Sequence, residues 1–176
     1  MPRFVALLRG VNVGKAKRVP MAALKALLAE LGYRDVRTLL NSGNAVFDGA
    51  AGSSAAQATR IQAAIVATFG FDVPVIVKSS KDIAAILAEN TLAKIATDHS
   101  RLLVAFTPGA KGLEQFAALA HSVVAPERIL VGKHAAYLWC ANGILESPAA
   151  SALLGKSGSA VTTRNWATVT KIAALL

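Results

Sequence analysis

The sequence predicts an α+β fold made of two ferredoxin-like (split β-α-β) lobes, the second incomplete, followed by a C-terminal helical tail. Two observations predict it. Short apolar runs suited to strands alternate with segments that repeat apolar residues at helical spacing. Over residues 1–79 these segments follow the order β-α-β-β-α-β, and β-α-β-β-α recurs within 80–176 without a matching sequence repeat.

Each element has a local reason. Arg3 to Leu8 is a short apolar strand, and Met21, Leu24, Leu27, Leu28 and Leu31 then fall on one helix face closed by Gly32. Val36 to Leu40 and Ala45 to Phe47 are strands joined by the turn Asn41-Ser42-Gly43-Asn44, whose residues tolerate positive φ and bond local backbone. Ser53 or Ser54 can cap a helix carrying Ile61, Ala64, Ile65 and Phe69, which Gly70 stops. Val73 to Val77 is a strand, and Pro74 favours an edge position for it. In the second lobe a helix starts at Ser80, a strand runs from Arg101 to Thr107, and Pro108-Gly109 turns into a helix from Gly112 to His121. Arg128 to Val131 and Ala135 to Cys140 form a hairpin, Asn142-Gly143 a turn, and Ser147-Pro148 opens a helix through Leu154. Gly155-Lys156-Ser157-Gly158-Ser159 reads as a linker. Asn165 to Leu176 reads as a helix with Trp166, Val169 and Ile172 along one face.

Right-handed crossovers make the first two strands parallel, with the third between them. Their C-terminal ends then share one end of the sheet, so the Arg9–Arg18 loop and the Asn41–Asn44 turn are expected to be neighbours.

Composition narrows the class. A chain of 176 residues, 54% hydrophobic and 16% charged, can bury a real core and is not a disordered sequence. No apolar run approaches the roughly 20 residues that span a bilayer, and no signal-peptide layout precedes Arg9, so a cytoplasmic protein without membrane contact is expected. The single Cys140 lies in an apolar strand and reads as a buried, inert thiol. His99, His121 and His134 are scattered, so no metal site is expected; no cofactor signature occurs, and the carboxylates form no pair suited to acid/base chemistry. The first lobe's strands offer only Phe4 and Phe47 as aromatics, which is too few for an RNA-stacking sheet.

The charge is concentrated at the two ends of the chain. Residues 1–40 hold eight cations against Glu30 and Asp35, residues 41–155 hold eight of each sign, and residues 156–176 hold Lys156, Arg164 and Lys171 with no acid. The whole excess of +9 therefore sits at the two ends.

Three motifs carry candidate chemistry. Arg9-Gly10-Val11-Asn12-Val13-Gly14-Lys15-Ala16-Lys17-Arg18 joins a strand to a helix and suits an anion: glycines admit backbone approach, a helix N-terminus follows, and the cations add charge. It has neither the Walker A nor the dinucleotide spacing. Asn41, Ser42 and Asn44 offer polar groups beside it. In the tail, Thr163 can cap a helix, Trp166 can staple it down, and Arg164, Asn165 and Lys171 add polarity beyond a staple's needs. The expectation is a composite ligand site of Arg9, Asn12, Gly14, Lys15, Lys17, Asn41, Ser42, Asn44, Thr163, Arg164, Asn165, Trp166 and Lys171, formed when the tail packs back on the first lobe.

The stretches FVALLRGVNVG (4–14), VPMAALKALLAELGYRDVRTLLNSGNAVF (19–47) and TTRNWATVTKIAAL (162–175) resemble the bacterial domain-of-unknown-function family numbered 1697. The resemblance implies a two-lobed α+β fold of ferredoxin-like character and a cytoplasmic bacterial protein, and it supplies no reaction. Members of that family often carry a second Gly after Asn-Val-Gly, where this chain has Lys15, and Ala16 stands at the usual Lys; backbone approach at Lys15 is then expected to be less free.

The leading functional expectation is a non-catalytic binder of a phosphorylated ligand, either a nucleotide or a nucleic acid. A second is an enzyme on a small phosphorylated or carboxylated metabolite, with Lys15 moving a proton if burial lowers its pKa. A third is an interaction module with an apolar dimer surface in the second half; the sequence leaves the oligomeric state open.

Overall fold

The computed structural model describes residues 1–154 and 160–176, so the linker expected over 155–159 lies outside the described residues. The chain divides into two compact units, Met1–Lys81 with Ile172–Leu176, and Asp82–Lys171.

The first unit runs β1 (Arg3–Leu8), α1 (Met21–Glu30), β2 (Arg34–Leu39), β3 (Asn44–Asp48), α2 (Ser54–Phe69) and β4 (Val75–Ser79). Its sheet has the order β2-β3-β1-β4, and every neighbouring pair is antiparallel. β1 and β2 are therefore parallel with β3 between them, and β4 is an edge strand, as the crossover rule and Pro74 require. Period-two alternation sends Phe4, Ala6, Leu8, Ala45, Phe47, Val75 and Val77 to one face, where they pack with Leu24, Leu28, Ile61 and Ile65 of the two helices. Each Phe, Leu, Ile or Val among them contributes about 2 kcal/mol by leaving water, and each Ala about 0.8 kcal/mol.

The helix ends obey local chemistry. The Gly32 N–H donates to Ala29 O (2.9 Å) and the Tyr33 N–H to Leu28 O (3.2 Å), the paired bonds of a Schellman stop, with Gly32 at φ 87°. Ser53 Oγ accepts from the Ala56 N–H at 3.1 Å and caps α2. At the far end of this unit, the Arg3 guanidinium reaches Asp48 (2.8 Å) and Asp35 (2.9 Å), while its Nε donates to Leu175 O (2.7 Å) and holds the last residues of the chain.

The second unit holds α3 (Ser80–Glu89, its first two residues counted with the first unit), β5 (Leu102–Phe106), α4 (Ala117–Ser122), β6 (Arg128–Val131), β7 (Ala136–Trp139), α5 (Pro148–Leu154), β8 (Thr162–Asn165) and α6 (Trp166–Ala173, which crosses into the first unit at Ile172). Its sheet has the order β6-β7-β5-β8, again antiparallel throughout. Leu103, Ala105, Ala136, Leu138 and Cys140 pack with Leu113, Phe116, Ala150 and Leu153. Two expectations are corrected here. The lobe is not short of a strand, because Thr162–Asn165 pairs with β5 and completes a four-stranded sheet. The stretch from Gly112 to His121 is not one helix but a 3-10 segment, Ala110–Phe116, followed by the short α4. Alternating Thr-Thr-Arg-Asn suits a β edge, and helical periodicity begins only at Trp166.

Candidate functional site

The loop after β1 is shaped by its own amides. The Leu8 N–H donates to Gly43 O (2.9 Å) and the Arg9 N–H to Pro74 O (3.0 Å), which pins the chain as it leaves the strand. Val11 and Val19 are buried and anchor the two ends of the loop. Between them Asn12 organises the path: its Nδ2 donates to Val19 O (2.8 Å) and Asn41 O (2.7 Å), and its Oδ1 accepts from the Val19 N–H (2.9 Å). The Asn12 N–H closes the loop on Lys17 O at 3.1 Å. Asn12 thus joins loop to turn, so the two segments are neighbours, and its side chain serves the scaffold rather than a ligand.

Gly10, Asn12, Gly14 and Lys17 adopt left-handed conformations (φ 69°, 57°, 64° and 50°). Left-handed residues at alternate positions 10, 12 and 14 are the backbone pattern from which anion nests are built, although the Asn12 N–H is itself spent inside the loop on Lys17 O. Lys15 is not among the left-handed residues, so the place where relatives often carry glycine makes no glycine demand here. Gly14, Lys15, Lys17 and Arg18 are exposed and Arg9 is half-buried. An exposed Lys15 lacks the burial that proton transfer would have needed.

α1 follows directly. Pro20 precedes its first turn and supplies no capping side chain, and that turn holds no acid. Its N–H groups therefore keep their positive end open beside Lys17 and Arg18.

The β2–β3 turn divides into structural and open parts. Asn44 is fully buried and its Nδ2 donates to Leu39 O (2.8 Å) and Ser42 Oγ (3.0 Å), which removes it from the expected ligand groups. Asn41 and Ser42 are exposed. Gly43, at φ 86°, sits so close to β1 that a Cβ there would lie 2.7 Å from Leu8 Cβ and 2.8 Å from Val11 Cγ2. That close approach was not legible in the sequence.

The tail residues take scaffold positions in the second unit. Thr163 is in β8, and the helix cap is Asn165, whose Oδ1 accepts from the Thr168 N–H at 2.9 Å. Arg164 is 8% exposed; it donates to Thr162 Oγ1 (2.9 Å) and Thr163 O (2.8 Å), and burial pushes its guanidinium down to about 10, still charged at neutral pH. Trp166 is buried and Lys171 is exposed.

Elsewhere, burial pushes the Cys140 thiol up to about 11, with Glu127 adding to the shift and Ser147 opposing it. The thiol is thus protonated and inert. Among the described residues no group of His, Cys, Asp and Glu could hold a metal ion, and no helix is long and apolar enough to cross a membrane. Sequence reasoning missed Lys78, which is 8% exposed in β4 opposite Val5; its place in an alternating strand was the available signal.

A solved structure, that of the conserved bacterial protein SP0830 from Streptococcus pneumoniae, is similar over 99% of this chain and 98% of its own, with 26% sequence identity and a TM-score of 0.79. No curated protein matches the chain. Residues 1–137 match the family described as protein of unknown function (DUF1697), and the chain belongs to that family.

Proposed function

We propose that the protein binds a phosphorylated anion, a nucleotide or a nucleic-acid backbone, at the Arg9–Arg18 loop of its first unit. The observation that carries the reading is the loop itself: left-handed residues at 10, 12 and 14, exposed Lys15, Lys17 and Arg18, and an α1 N-terminus without acid or cap. Asn12, Asn44 and the buried valines hold this arrangement in place before a ligand arrives, which lowers the ordering cost of binding. We also read both units as ferredoxin-like, a reading supported by the strand orders β2-β3-β1-β4 and β6-β7-β5-β8.

The test is anisotropy of a labelled single-stranded oligonucleotide across a salt series, with ATP as competitor. Affinity should fall linearly on a log–log plot, and Lys15→Ala/Lys17→Ala/Arg18→Ala should reduce the slope by about two. Displacement by ATP at equal phosphate concentration would favour the nucleotide. A slope unchanged by the triple variant would remove the loop from the reading.

A further inference from the structure

The second unit carries a groove of about 400 Å³, separate from the basic loop. Leu119, Val123 and Val124 from the end of α4 form one wall, and Ala149 and Ala152 of α5 form the other. Its volume lies in the range of small-ligand pockets, roughly 300–1,000 Å³.

The polar side chains of the lining have a single chemical sense. Ser122 Oγ already donates its proton to Leu119 O (2.9 Å), so it faces a ligand only as an acceptor. Pro148 brings no N–H. Glu127 is the only charged residue of the lining, is half-buried, and forms no ion pair among the described residues. The side chains thus offer a carboxylate and a hydroxyl acceptor within apolar walls, and no donor.

We propose that this groove binds a small apolar ammonium ion, its hydrocarbon against the Val and Ala walls and its N–H groups donating to Glu127 and Ser122 Oγ. A half-buried carboxylate gains most from a donor that is itself charged, because the bond is charge-assisted and forms where water is partly excluded. A neutral alcohol would satisfy the same walls but would leave the charge uncompensated. A carboxylate ligand would be repelled.

The test uses three probes of one size on the full chain: n-hexylammonium, 1-hexanol and hexanoate, followed by ¹H–¹⁵N shift titration. Hexylammonium should move the Val124 and Ala152 resonances and bind about tenfold more tightly than hexanol, with hexanoate silent. Glu127→Gln should abolish the preference for the ammonium while leaving hexanol binding intact. Ala152→Trp, at an exposed helix position, should block all three probes. Equal binding of ammonium and alcohol, or a preference that survives Glu127→Gln, overturns the proposal. So does a doubling of the solution mass that Ala152→Trp reverses, since the groove would then be covered by a second copy.

Discussion

Two connections occupy the same place in the two sheets, each leading from the strand that lies third in its sheet order, β1 or β5, toward the next helical segment. After β1 the chain spends residues 9–20 on an open loop with four left-handed residues and exposed cations. After β5 it turns at once: Thr107, 1% exposed, folds its Oγ1 onto Gly109 O (2.8 Å), and Gly112 packs so closely that a Cβ would lie 2.8 Å from Thr107 Cβ. The strand order is identical, yet one connection is built as an exposed charged concavity and the other as a closed corner. Strand order alone therefore confers no site; the loop's own side chains and backbone hand do. The second unit pins its β6–β7 turn with a carboxylate, Glu89, where the first unit pins its loop with the amide of Asn12.

The largest expected effect comes from Gly43→Ala, which combines a left-handed φ with contact against Leu8 and Val11. It should cost about 3 kcal/mol in urea unfolding at an unchanged m-value and weaken anion binding by tilting the loop. Asn12→Ala removes three side-chain bonds and should cost about 2 kcal/mol, with faster hydrogen exchange at the Val19 N–H; Asn12→Gly should recover only the backbone part. In the closed corner, Thr107→Val loses one bond and should cost about 1 kcal/mol without any effect on anion binding. An effect on binding there would break the contrast between the two connections.

The two pins should also differ in pH response. Burial raises the Glu89 carboxyl, but hydrogen bonds from Tyr137 and from the Lys133 and His134 N–H groups outweigh it and hold the group below its ordinary value of 4.5. A depressed folded-state value means that the contribution is present above 4.5 and is lost as pH falls through the folded value. Thermal unfolding should therefore show a stability loss below pH 4.5 that Glu89→Gln flattens, while Asn12 variants leave the profile unchanged. The smallest effect belongs to Lys15→Ala, which should leave stability within about 0.5 kcal/mol. A larger change would mean that this exposed side chain holds the loop.

Much was legible because it is local. Leu24, Leu28, Ile61 and Ile65 announce two helices by spacing, Gly32 and Gly70 stop them, and the β-α-β-β-α-β order with right-handed crossovers places the Asn41–Asn44 turn beside the basic loop. Thr162–Asn165 was misread because its neighbour in the sheet, β5, is about sixty residues away, and four residues of mixed polarity carry no period of their own. Asn12 and Asn44 looked like ligand groups for a related reason: an amide that binds backbone and one that meets a ligand are the same in sequence.

The sequence by itself determined where helices start and stop, where the net charge of +9 collects, and which loop is rich in glycine and cations, since these follow from propensity, spacing and composition. Only the tertiary structure decided which polar groups are spent. Hydrogen bonds across long sequence separations consume the side chains of Asn12 and Glu89, a turn across the β2–β3 connection consumes that of Asn44, and Lys15, Lys17 and Arg18 are left facing water. Such bonds form only once the sheets have brought distant backbone within about 3 Å, a distance that no local pattern encodes.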